Sequence, residues 1–333
     1  MLRRQIIFST IQAYGQAYCL LIAVLIMLAS PSWAQAWRSG APLPQSVSGA
    51  VAATIDDRIY VLSGTVGTGI RRFFEVYDTR GDGWRPLPPM PVDRVQFGVA
   101  SGHGQIKGQG QIIVTGGFSI ETGKFSDTVW RFSPTQSLWT QMPAMPGRRA
   151  GHASAVIGNM LYVVGGVGAG AAQLYAYNLK QGRWAVLPTT MPIPASQIAI
   201  TTYGDELVIV GGRDRNGRII GAVQIYDTKA NTWRKATELP APRSGAAIGM
   251  LGDQLHVVGG YRLSPPKTVD EHYVLDMTKQ DTAQWRRAAA LPQARHHAGY
   301  AALPSGFYIL GGALGGGFYA PFTATNSVHI FRP

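Results

Sequence analysis

Short apolar runs, each closed by two small residues, recur along the chain at nearly even intervals. QIIVT leads to Gly116-Gly117, MLYVV to Gly165-Gly166, ELVIV to Gly211-Gly212, QLHVV to Gly259-Gly260 and FYIL to Gly311-Gly312, and RIYVL before Ser63-Gly64 is a degraded sixth copy. Runs of this length, rich in Val, Ile and Leu and bounded by turn residues, read as strands and are too short for helices. The steps between doublets lie between 46 and 53 residues. A period near fifty built from strands is how a β-propeller reads in sequence.

Each unit has the same internal order. In the third, the small apolar stretch 153–157 predicts an innermost strand, MLYVV a second, LYAY at 174–177 a third, and Trp184 begins a fourth. Turn residues such as Gly158-Asn159 and Gln181-Gly182 separate them. Small residues suit the crowded axis, and bulky Tyr and Trp suit the wider outer part of a blade.

The tryptophans predict how the ring closes. Trp84, Trp139, Trp184, Trp233 and Trp285 each follow a doublet, but nothing follows SVHIF in the last unit. The missing residue is Trp37, far away at the other end of the repeat region. A strand around Trp37 is therefore expected to complete the last blade, leaving no free sheet edge around the ring. The expected fold is all-β, a six-bladed propeller.

Residues 1–36 stand apart from this pattern. Arg3 and Arg4 precede the apolar stretch CLLIAVLIMLA, which is followed by Ala34-Gln35-Ala36. That layout is a secretory signal peptide with cleavage expected after Ala36, and its apolar run is shorter than the roughly 20 residues a spanning helix needs. The expected organisation is a signal peptide over 1–36 and a single propeller over 37–333, exported to the periplasm or secreted, without stable membrane insertion after cleavage. Cys19 is the only cysteine and would leave with the signal, so packing alone must hold the mature protein. The whole chain has 30 Lys and Arg against 18 Asp and Glu, a net charge of +12. Such a surface favours anionic partners. The basic residues are dispersed, with no aromatic-interleaved basic run, and nucleic acid is not an expected partner.

The doublets, the third-strand aromatics (Tyr77, Tyr177, Tyr226 and Tyr273, with Trp130 and His329 in the remaining units) and the six Trp positions together resemble the Kelch-repeat family. The resemblance covers all of 37–333. It implies a Kelch-type propeller but leaves function open, because the family spans enzymes, scaffolds and peptide-binding modules.

Candidate chemistry falls at the openings of the innermost strands. Arg149, Arg243 and Arg295 stand sixteen residues before a doublet, Arg94 holds the place in the second unit with an insertion behind it, and Val47 and Ala195 are the equivalents elsewhere. In the Kelch family this arginine commonly contributes to a basic pocket. Guanidinium groups converging on a channel mouth would take carboxylates in bidentate fashion, so Arg94, Arg149, Arg243 and Arg295, with Arg213 on a loop just after a doublet, form the expected anion site. Arg148, Arg215, Arg218 and Arg262 lie near the same rim and are read individually as ordinary solvated arginines. His152, His296 and His297 flank the same openings. Strand alternation would put His296 and His297 on opposite faces, and with no spaced carboxylate nearby no metal site or cofactor is expected. The glycine-rich runs 165–170 and 311–317 read as mouth loops that open no helix.

Two functions follow. One is an exported binding propeller for an acidic sugar or an acidic protein segment. The other is an enzyme, since the chain is similar to exported bacterial Kelch propellers of the N-acetylneuraminate epimerase (sialic acid mutarotase) type. That resemblance implies a general acid and base near an anomeric centre, with an acidic residue just after a doublet. Here the doublets are followed by Thr65, Phe118, Val167, Arg213, Tyr261 and Ala313, while Glu121, Asp214, Asp270 and Glu271 are the loop acids at hand. No catalytic residue is assigned from sequence. A copper oxidase of the galactose oxidase type is excluded by the lack of a mature cysteine.

Overall fold

In a computed structural model, residues 36–67, 69, 70, 72–102 and 110–333 are described, and the segment read as a signal peptide lies outside them except for Ala36. Six four-stranded antiparallel sheets follow one another along the chain. Each apolar run before a doublet is the second strand of its blade: Arg58–Leu62, Gln111–Thr115, Met160–Gly168, Glu206–Val210, Gln254–Val258 and Gly306–Leu310. The last blade orders its strands as Ala36–Gly40, Val328–Arg332, Gly306–Leu310 and Gly299–Leu303, so the strand carrying Trp37 closes the ring as expected.

The second strands are buried on both faces because blades stack face to face. Ile59, Val61 and Tyr77 of the first blade pack with Tyr308, Leu310 and Ile330 of the last, all fully buried. Each such aliphatic side chain contributes roughly 1.5–3 kcal/mol relative to exposure. The outer tryptophans add a polar tie between neighbours. Trp84, Trp139, Trp184, Trp285 and Trp37 donate their indole N–H to the carbonyls of Ala41, Pro88, Pro143, Thr237 and Ala289, each at 2.8 or 2.9 Å. Trp233 keeps the place without such a bond among the described residues.

The glycine doublets make the closest inter-blade contact. Gly211 has φ +64°, and a Cβ there would lie 2.4 Å from the Arg243 carbonyl oxygen of the next blade. With no side chain in the way, the second glycine donates its N–H to that same carbonyl: Gly212 to Arg243 at 3.0 Å, Gly260 to Arg295 at 2.9 Å, and Gly117 to Arg149 at 2.9 Å. The doublet thus serves close approach of two backbones as well as a positive φ.

Three sequence equivalences need correction. Tyr77, Tyr177 and Tyr226 pair across to Trp84, Trp184 and Trp233, but the residue facing Trp139 is Phe132, not Trp130. By the same register, opposite the second strand, Leu275 and Phe331 take the place expected for Tyr273 and His329. The slip is two residues, which keeps a side chain on the same face of a strand and so leaves the apolar pattern intact. The glycine-rich runs differ too: residues 165–168 continue the second strand of the third blade, and the 311–317 run leads into a 3-10 helix at Gly317–Thr323.

Candidate functional site at the channel mouth

The arginines expected at the mouth are buried within the blades. Arg149, Arg243 and Arg295 are 0%, 1% and 1% exposed. Each aims Nη1 at the first carbonyl of its own blade's doublet: Gly165 at 3.2 Å, Gly259 at 3.0 Å and Gly311 at 3.1 Å. Nη1 also reaches a carbonyl where the third strand begins, of Gln173, Glu271 and Ser327 respectively. The remaining faces are covered as well. Arg149 lies 3.9 Å over the Tyr175 ring and reaches Gly170 O at 2.8 Å, Arg243 pairs with the Glu271 carboxylate at 2.9 Å, and Arg295 donates to His329 Nδ1 at 2.8 Å and to Gln293. Burial pushes all three guanidinium pKa values down, that of Arg295 to about 10. The expectation of a shared mouth site made by these three is corrected, because their donors satisfy backbone carbonyls where a doublet turns out of its strand.

This explains the displaced aromatics. Trp130, Tyr175, Tyr273 and His329 occupy the third-strand register that goes with an opening arginine, and the blades opening with Val47 and Ala195 carry Glu75 and Gln224 there. Arg94 has the register but not the bonds: its guanidinium makes no hydrogen bond among the described residues. It borders a separate cleft with Arg72, Lys124 and Arg148, where Arg72 and Arg148 are already paired with Asp93 and Asp127.

The mouth itself is built two residues further on. Gly49, Gln96, Gly151, Gln197, Gly245 and His297 stand there, one per blade, and all six have φ between 49° and 72°. Turning through this conformation lets the backbone of one blade bond the next. Gly49 donates to His297 O, His297 to Gly245 O, Gln197 to Gly151 O and Gly151 to Gln96 O, at 2.7 or 2.8 Å. Glycine takes this conformation freely, whereas in an L-residue it costs about 1–2 kcal/mol. Alternate blades therefore project a side chain, Gln96, Gln197 and His297, from a strained backbone over the channel. Strain of this kind concentrates at ligand sites.

These three border a cavity of about 370 Å³ at the mouth of the channel, within the range of small-molecule sites. Its walls are apolar, with Val51, Phe97, Val99, Ile198 and Ile200, and among the described residues no Asp, Glu, Lys or Arg lines it. Polar groups are few. His152 Nε2 meets Thr115 Oγ1 at 2.8 Å, Thr115 Oγ1 meets Ser154 Oγ at 2.7 Å, and burial pushes the His152 pKa down to about 3. Tyr300 OH reaches from the last blade past its neighbour to the Ile200 amide of the fourth, at 3.3 Å, so the phenol lies across the channel.

Arg213 supplies positive charge at the rim. Its Nε donates to Gln197 Oε1 at 3.1 Å and its Nη1 to Gly217 O at 3.4 Å, leaving Nη2 without a hydrogen bond among the described residues. Its charge also helps to lower the pKa of His296 and His297, after the larger effect of burial. Those two histidines are in contact, Nδ1 to Nδ1 at 2.5 Å, contrary to the alternation expected of a strand. The left-handed turn at His297 breaks that alternation. The loop acids are engaged elsewhere: Asp214 bonds Arg218, Glu271 bonds Arg243 and Arg262, and Glu121 and Asp270 are exposed. Among the described residues no group of three or more His, Cys, Asp or Glu could hold a metal ion.

Residues 151–333 match the KLHDC2/KLHL20/DRC7 Kelch-repeats domain, and 46–91 and 107–146 match the Kelch motif. The chain belongs to the Kelch-repeat family. Kelch-like protein terF of Aspergillus terreus is 30% identical over 215 residues, 59% of this chain and 46% of that one. Alpha-scruin of Limulus polyphemus is 23% identical over 282 residues, 77% of this chain and 30% of that one. The chain thus spans less than half the length of these relatives. Among solved structures, YjhT superposes with a TM-score of 0.72 at 18% identity, covering 86% of this chain and 95% of YjhT, a likeness of fold.

Proposed function

We propose that this Kelch propeller is an exported ligand-binding protein, with residues 1–36 as its signal peptide, and that it takes a small acidic sugar at the channel mouth. One observation carries the reading: three polar side chains, Gln96, Gln197 and His297, are held in left-handed backbone over a cavity of about 370 Å³, uncharged among the described residues, where a glycine serves in the alternate blades. The ring provides donors and acceptors for hydroxyl and amide groups, the apolar wall suits the carbon faces of a sugar, and Arg213 Nη2 at the rim is available to a carboxylate. A charge-assisted bond of this kind contributes about 1.5–3 kcal/mol. Calorimetric titration with N-acetylneuraminate and with the neutral sugar N-acetylmannosamine tests it. The acid should bind more tightly, and Arg213→Gln should weaken it tenfold or more. Equal affinity for both sugars, or an unaffected variant, would refute the anion subsite.

A second reading, a mutarotase acting on the same sugar, is favoured by the cavity's two imidazoles and one phenol, groups able to move protons without a metal. Proton NMR of freshly dissolved crystalline N-acetylneuraminate, with and without catalytic amounts of protein, decides between them. Faster anomer equilibration supports the enzyme, and the buffer rate supports binding alone.

A further inference from the structure

The histidine pair at the mouth has only one consistent arrangement of protons. His296 Nε2 lies 2.7 Å from the Gly315 carbonyl, which can only accept, so the His296 proton is on Nε2 and its Nδ1 is a lone pair. His297 Nδ1, 2.5 Å away, must then donate. Burial holds both imidazoles below their ordinary pKa, that of His297 at about 3, so each carries a single proton at neutral pH. Nε2 of His297 is consequently unprotonated, and it makes no hydrogen bond among the described residues.

The ring is held in place from several sides. Its backbone N–H bonds Gly245 O, and its carbonyl accepts from Gly49. Gly245 leaves room for it, because a Cβ there would lie 2.8 Å from His297 Nδ1 and Cε1. Behind it, His296 packs against the Tyr261 ring at 5.4 Å between centroids.

Resting on the cavity reading above, we infer that His297 Nε2 is a fixed hydrogen-bond acceptor that selects ligands presenting an O–H donor at that point of the mouth, with His296 as the positioning residue that sets its tautomer. A neutral imidazole held this way reads a donor in one direction only. A hydroxyl satisfies it, whereas a carbonyl or ether oxygen at the same place leaves it desolvated and unpaired. The loss of such a bond lowers affinity about tenfold.

Long-range proton–nitrogen NMR of the labelled protein reads the tautomers directly. The expected spectrum has His297 protonated on Nδ1 and His296 on Nε2, and saturating N-acetylneuraminate shifts His297 Nε2 as it accepts a bond. His296→Phe keeps an aromatic ring beside Tyr261 but removes the acceptor, so His297 should move toward the Nε2-protonated form while the amide spectrum stays folded. A merely structural His296 would not move that proton. Nε2 protonation of His297 in the free protein, or an unchanged tautomer in His296→Phe, overturns the inference and leaves the cavity reading standing. The expected tautomers with no response of any mouth resonance to N-acetylneuraminate would overturn the cavity reading, and with it the acceptor's role in selection.

Discussion

Two positions, two residues apart, recur at the opening of every blade and are put to opposite uses. The first carries Arg149, Arg243 and Arg295, charged side chains that are withdrawn from solvent and bonded to carbonyls of their own blade. The second carries Gln96, Gln197 and His297, uncharged side chains held at a positive φ beside a cavity. Charge alone points to the first position as the ligand site, whereas backbone geometry points to the second. A guanidinium is the group best suited to collecting several carbonyls at once, so an arginine recurring in a repeat can serve the fold.

The comparison breaks most visibly at Arg243. Arg243→Leu leaves the Glu271 carboxylate with Arg262 alone and takes a donor from the carbonyls of Ala241, Gly259 and Glu271, and should cost about 3–5 kcal/mol, read as a large fall in melting temperature. A fall in ligand affinity with unchanged stability would return this arginine to the mouth.

Stability should also decline in acid, through imidazoles kept neutral inside the fold. His256 and His272 bond each other at 2.8 Å behind Trp37, Phe307 and Phe331, and burial pushes their pKa values to about 3 and about 4, with Arg286 facing both. The unfolded chain takes up protons first, from the ordinary histidine pKa near 6.5 downward. Their contribution is therefore fully present above pH 6.5 and is lost as pH falls toward 4, at up to about 1.4 kcal/mol per pH unit for each imidazole. Melting curves across that range check this, and a flat profile would contradict it. Such a loss would loosen the ring where Trp37 and His272 both bond the Ala289 carbonyl.

At the second position Gln197→Gly should leave stability within about 1 kcal/mol, since relief of a left-handed residue offsets the added freedom of glycine. Arg94→Gln, by contrast with Arg243→Leu, removes no hydrogen bond and should change stability by no more than about 0.5 kcal/mol, measured by denaturant unfolding.

Most of the fold is legible in the sequence because the glycine doublets sit where two backbones touch, a place that tolerates little else. Ring closure is legible too, from one tryptophan missing at the end and present at Trp37. The third-strand aromatics are legible only by face: Trp130, Tyr273 and His329 keep the inward alternation of Tyr77 but belong two residues earlier. The mouth was missed for a different reason. Val-Ser-Gly, Arg-Val-Gln, Arg-Ala-Gly, Ala-Ser-Gln, Arg-Ser-Gly and Arg-His-His occupy the six openings, and the glycine in three copies marks a positive φ for all six. The charge of the first residue is the louder signal in these triplets, and the third carries only a conformational one. The contact between His296 and His297 depends on that same turn, and strand alternation denies it.

The most direct test of the account is calorimetric titration of N-acetylneuraminate into the protein and its Gln197→Gly variant. The account predicts binding to the parent and about tenfold weaker binding to a variant that melts at nearly the same temperature. Undiminished affinity in the variant would contradict it and place the ligand away from the ring of left-handed residues.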